Sequence, residues 1–66
     1  MSWELYEVMA TDEGGHQSLY YATKSLKEAR QMAQQALREG HVHAEVNRET
    51  ESGDSELVFE CGTRPP

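Results

Sequence analysis

Residues 25–40 read Ser25-Leu26-Lys27-Glu28-Ala29-Arg30-Gln31-Met32-Ala33-Gln34-Gln35-Ala36-Leu37-Arg38-Glu39-Gly40. Ser25 followed three positions later by Glu28 has the spacing of a capping box, in which the hydroxyl and the carboxylate each satisfy a backbone N–H left free at a helix start. Leu26, Ala29, Met32, Ala33, Ala36 and Leu37 then fall within an arc of about 140° at helical spacing, with Lys27, Gln31, Gln34, Gln35 and Arg38 outside it. Gly40 stands where a left-handed residue closes a helix. The spacing predicts one amphipathic helix over 26–39, with one face for a core and the other for water.

The flanking segments supply what that apolar face packs against. Residues 3–10 (WELYEVMA) are rich in β-formers and stop at Thr11-Asp12-Glu13-Gly14-Gly15, a run of turn residues. Residues 18–23 (SLYYAT) give a second short strand, so the two form a hairpin. After the helix, residues 41–49 (HVHAEVNRE) alternate, with Val42, Ala44 and Val46 opposite His41, His43, Glu45, Asn47 and Glu49. Residues 50–54 are turn chemistry, and residues 56–61 (ELVFEC) set Leu57, Phe59 and Cys61 against Glu56, Val58 and Glu60. The fold class predicted is α+β in the order ββαββ, with one amphipathic helix packed on one face of a four-stranded, mainly antiparallel sheet. Residues 1–62 make a single domain without linker, internal repeat or low-complexity segment, and residues 63–66 are expected to be a flexible tail. No local pattern encodes the strand order.

Composition narrows the function. A chain of 66 residues buries only about 60% of the surface its unfolded form exposes, so a deep pocket would consume packing it cannot spare, whereas a shallow docking face costs little. Twelve carboxylates against six Lys and Arg give a net charge of -6, a field that repels phosphate backbones and anionic lipid and attracts basic proteins. Direct nucleic-acid binding and membrane association are therefore not expected. Solubility is the other reason for such acidity. A lone cysteine, Cys61, and an N-terminus without the basic-then-apolar pattern of a signal peptide point to a cytoplasmic location.

A helix on one side of the sheet leaves the other side open. In the first strand, turning Tyr6, Val8 and Ala10 inward avoids burying Glu7 and leaves Trp3, Leu5, Glu7 and Met9 outside. In the second, Leu19 and Tyr21 inward leave Tyr20 outside. These choices predict an open face of Trp3, Leu5, Met9, Tyr20 and Val58 set among Glu7, Glu45, Glu49, Glu56 and Glu60, and a slip of one residue would invert them. Exposed aromatic and Met side chains favour protein interfaces, and carboxylates around them steer a basic partner. The charge is also segregated: segment 24–39 carries +2, from Lys24, Lys27, Arg30 and Arg38 against Glu28 and Glu39, which leaves -8 on the rest.

Other chemistries find little support. His41 and His43 share a side of the third predicted strand, but two imidazoles are not a metal site, and Glu45, His16 and Cys61 do not have the spacing of a structural zinc centre. Cys61 alternates to the buried side, where a thiol is inert. The carboxylates sit at exposed positions without an apolar pocket to raise one pKa for acid–base work. Gly14-Gly15 lies between two strands, without the lysine and following helix of a phosphate loop. No catalytic residue, metal or cofactor is expected.

The helix motif Ser25-Leu26-x-x-Ala29-Arg30-x-Met32-Ala33, with the Val46-x-Arg48-Glu49 run after it, resembles small proteins encoded by phages and mobile elements, including type I anti-CRISPR proteins. The resemblance spans some 30 residues and implies a compact stoichiometric inhibitor that covers a nucleic-acid-handling surface of its target. The expectation is thus a non-enzymatic, acidic, protein-binding protein. Two alternatives stand beside it: a homodimeric accessory module that uses the Trp3 face for self-association, and a weak His-based metal binder.

Overall fold

The computed structural model describes residues 2–64. Its elements are β1 (Glu4–Thr11), β2 (Gln17–Thr23), α1 (Leu26–Arg38), β3 (His43–Thr50) and β4 (Ser55–Gly62). One helix packs on a four-stranded antiparallel sheet, the class and order predicted.

Both ends of α1 are closed by local hydrogen bonds. Ser25 is extended (φ -107, ψ 119), and its Oγ accepts the Glu28 N–H at 3.2 Å. The return half of the predicted box is made by another residue: the Ser25 N–H donates to Thr23 Oγ1 at 3.1 Å. Thr23, two residues upstream, reaches that N–H from the end of β2, and the Glu28 carboxylate instead lies by Tyr21, raising the pKa of its phenol. At the other end Gly40 takes φ 106, the Gly40 N–H donates to Leu37 O and the His41 N–H to Ala36 O, each at 3.1 Å. That is the Schellman arrangement, which only a left-handed residue completes without strain.

The strand order is β2-β1-β3-β4, so the helical connection from β2 passes over β1 and delivers β3 to its far side. The two central strands meet through small side chains, with Val8 opposite Val46 and Ala10 opposite Ala44. The fully buried core is Val8, Ala10, Ala29, Ala33, Ala36, Ala44 and Val46. Alanines on three successive helical turns let α1 lie close to the sheet, and Tyr6, Tyr20, Tyr21, Met32, Val58, Phe59 and Cys61 wall the layer at its margins. Two residues of the predicted core arc lie farther out. Leu26, in the first turn, is 37% exposed, and Leu37 is half-buried.

The sequence shows no repeat, yet the backbone carries one. A shift of 38 residues takes the pairing of the first hairpin onto that of the second: Val8 opposite Tyr21 becomes Val46 opposite Phe59, and Met9 opposite Leu19 becomes Asn47 opposite Leu57. Each outer strand therefore holds one extra residue at the same place, Tyr20 in β2 and Val58 in β4. The loops follow the same shift. Gly15 (φ 86) and Gly53 (φ 90) are left-handed, with N–H groups that donate to Asp12 O and Thr50 O. Because β1 and β3 run antiparallel with Val8 opposite Val46, the two hairpins are related by a local two-fold through that pair. Few identities accompany it, Glu7/Glu45, Val8/Val46, Gly15/Gly53 and Leu19/Leu57 among them, so the repeat lies below what a reading of residue types detects.

Within the predicted tail, the exposed Thr63 and Arg64 each make one contact: the Thr63 N–H donates to Val42 O at 2.9 Å, and the Arg64 guanidinium reaches Glu60 at 2.7 Å. Pro65 and Pro66, the rest of that predicted tail, lie outside the described residues. No helix of the described residues is long and apolar enough to cross a membrane.

Candidate functional site: the open face of the sheet

In a strand successive side chains point to opposite faces, and an extra residue reverses the parity of everything beyond it. Tyr6, Val8 and Ala10 of β1 and Ala44 and Val46 of β3 face the helix, as predicted, so Leu5, Glu7, Met9, Glu45, Asn47 and Glu49 face away. The two bulges change the outer strands. Tyr20 and Tyr21 both turn toward the helix layer, as do Val58 and Phe59. Beyond each bulge a leucine emerges on the open face: Leu19 beside Met9, 55% exposed, and Leu57 beside Asn47, 45% exposed.

Of the residues the sequence assigned to the open face, Leu5, Glu7, Met9, Glu45, Glu49 and Glu60 are brought together there. Three are not. Tyr20 lies on the helix side, with its hydroxyl bonded to the Glu39 carboxylate and its ring edge-on to His41 at 5.6 Å. Val58 packs against the core. Glu56 pairs in register with Arg48, on the helix side, and meets its guanidinium at 3.2 Å. Trp3 precedes β1 and is 43% exposed, outside the pairing that fixes which face a side chain takes. Strict alternation places Leu19 and Leu57 in the core, and the bulges at Tyr20 and Val58 turn both out.

The open face runs in cross-strand rows. One is Leu19, Met9, Glu45 and Glu60, and the next is Ala22, Glu7, Asn47 and Leu57. Glu45 accepts from Gln17 Nε2 at 2.8 Å and from Asn47 Nδ2 at 3.5 Å, both neutral donors. Hydrogen bonding to Glu49, open to the Glu7 carboxyl only when it is protonated, raises that carboxyl above the ordinary range, with burial and the repulsion of Glu49 adding to the rise. Glu60 is the contrary case. His43 Nε2 at 3.1 Å and the Arg64 guanidinium at 2.7 Å hold its carboxyl below the ordinary range. Among the described residues Glu7, Glu45 and Glu49 have no basic partner. The face thus offers uncompensated negative charge in its middle and one exposed leucine on each of its two edge strands.

The geometry also bears on the other chemistries. His41 and His43 do not share a side: His41 lies outside β3 with Nδ1 3.2 Å from Ala36 O, whereas His43 is the buried partner of Glu60. Among the described residues no group of three or more His, Cys, Asp or Glu is arranged to hold a metal ion. Cys61, opposite Ala44 on the helix side, is half-buried, and desolvation pushes its thiol pKa up, away from a reactive thiolate. The surface has open depressions along the helix, at Leu26, Lys27, Arg30, Gln31 and Gln34, and beside Arg48, Thr50, Asp54, Ser55 and Glu56. Comparison with protein-family models, with curated proteins and with solved structures gave no match for this chain.

Proposed function

We propose that this chain is a non-enzymatic binding protein that docks a basic protein partner on the open face of its sheet. The observation that carries this reading is the coincidence of exposed Leu19 and Leu57 with the uncompensated carboxylates of Glu7, Glu45 and Glu49 on one surface. Apolar anchors supply binding energy once water is excluded, and the surrounding charge sets orientation and association rate. The same charge disfavours self-association through this face, because two copies would bring like carboxylates together. A stoichiometric inhibitor that covers a nucleic-acid-handling surface is the form of this role that the resemblance to anti-CRISPR proteins implies.

The test is site-specific photo-crosslinking in the native host, with the reactive residue at Leu57 in one variant and at Gln31 on the helix in another. The expected result is one discrete basic protein captured from Leu57 and not from Gln31, whose nucleic-acid binding falls when the purified chain is added. Capture only of a second copy of the chain from Leu57 supports the homodimer instead. Capture only from Gln31 transfers the site to the helix.

A further inference from the structure

Leu19 and Leu57 occupy equivalent positions in the two hairpins, one on each edge strand. From β2 to β4 is three interstrand steps, about 14 Å, and their rows lie two residues apart along the strands, about 7 Å. The leucines are therefore about 16 Å apart on a diagonal of the face. Met9 and Asn47 lie near that diagonal, and Glu7 and Glu45 flank it on opposite sides.

An α-helix returns to the same face after 11 residues, a rise of about 16.5 Å. Residues i+4 and i+7 fall between those ends and point to opposite sides of the line that joins them. The diagonal has the length, and the flanking carboxylates the placement, for three turns of helix. Building on the docking role above, we infer that the partner presents an amphipathic α-helix to this face, apolar at i and i+11 and Arg or Lys at i+4 and i+7. Charge complementarity selects the basic centre: a guanidinium there meets Glu7 or Glu45, neither of which has a cation among the described residues, and relieves the crowding of Glu7 against Glu49. The chain's own helix is not this ligand. Its exposed stripe at the same spacing is Lys27, Gln31, Gln34 and Arg38, charged at the ends and neutral in the middle, the inverse of the required pattern.

The experiment uses the full chain and two capped synthetic helices of equal composition. One has Leu at i and i+11 with Arg at i+4 and i+7. In the other the leucines stand at i and i+9, on opposite sides of the helix. Affinity is read by fluorescence anisotropy at low salt and the contact surface by amide chemical shifts. The first helix is expected to bind at least about tenfold more tightly, to shift Met9, Glu45, Asn47 and Leu57, and to lose that advantage against Leu19→Ala with Leu57→Ala. Equal binding of the two helices, or shifts confined to residues 26–38, overturns the inference. A basic partner crosslinked at Leu57 together with equal helix binding leaves the docking role standing and shows that the partner engages by a strand or loop. Absence of any partner at Leu57 removes both.

Discussion

The hairpin before the helix and the hairpin after it share a backbone plan and differ in almost everything on their surfaces. Val8 and Val46, Gly15 and Gly53, Leu19 and Leu57 stand in the same places, and each outer strand carries its extra residue at the same step. Identity survives mainly where geometry requires it: at the shared centre of the core, at a left-handed turn and next to a bulge. Elsewhere the halves diverge, as where β4 ends in Gly62 at the position that Lys24 takes before the helix. A two-fold sheet with one helix is chemically two-faced. The helix breaks the symmetry on its own side, and the open side keeps it at Leu19/Leu57 and Glu7/Glu45 but not at Met9/Asn47 or Ala22/Glu60.

The largest effect is expected where the hairpins differ. Gly62 has φ 83, and a Cβ there would press into the Val42 carbonyl oxygen and stand 2.9 Å from Leu37 Cδ2. Gly62→Ala should cost about 3 kcal/mol or more, since overpacking against backbone adds to left-handed strain. Gly15→Ala and Gly53→Ala meet open space and should each cost about 1 kcal/mol, from conformation alone. Denaturant midpoints check the ranking, and equal losses at all three glycines would mean that β4 does not end against Val42.

The bulges set the next effect. Val58→Ala should lose about 1–2 kcal/mol because Val58 packs on the core, while Leu57→Ala, at an exposed position, should stay within about 0.5 kcal/mol. Strict alternation predicts the reverse order, so thermal unfolding of the pair decides between the two registers. Ser25→Ala should follow at about 1 kcal/mol, the loss of a cap. Glu28→Ala should cost less, because Thr23 and not Glu28 serves the Ser25 N–H. A larger loss for Glu28→Ala would restore the reciprocal box.

The smallest effect separates Glu7 from Glu60 by pH. The fold raises the Glu7 carboxyl, so the folded chain holds that proton more tightly than the unfolded one, and stability is lost as pH rises from the ordinary carboxylate range through the raised value. Glu7→Gln should therefore raise the melting temperature at neutral pH slightly, with no gain once the solution is acid enough to protonate Glu7 in both states. Glu60 has the opposite sign. His43 and Arg64 depress it, so its contribution is present above the ordinary range and disappears as pH falls through the depressed value. Glu60→Gln should lower the melting temperature at neutral pH and converge with the parent in acid. Parallel pH profiles for the two variants would show that the carboxylates share one environment.

Helix, hairpins and fold class were legible because each has a local cause: the Ser25 cap, the apolar arc, Gly40, and the turn residues around Gly15 and Gly53. The inward sides of β1 and β3 were also legible, since burying Glu7 or Glu45 was the alternative. The outer strands were not. A bulge adds a residue without a required residue type, and Tyr20 and Val58 are ordinary β-formers, so alternation continued through them and reversed Leu19, Leu57 and Glu56. The strand order and the 38-residue shift were hidden for a related reason: both are properties of pairing, which composition and period do not carry. The uncharged stretch of β2, against the Glu-rich β4, gave no sign that the two strands play one role.

The open-face account rests on Leu19 and Leu57 pointing away from the helix, and nuclear Overhauser contacts from Val and Leu methyl groups test that directly. Contacts are expected from Val58 to the methyls of the buried core, from Leu57 to the Asn47 side chain and from Leu19 to Met9, and none from either leucine to Ala29, Ala33 or Ala36. Contacts from Leu57 or Leu19 to those helix alanines, with Val58 instead near Asn47, would contradict it and remove both anchors from the face.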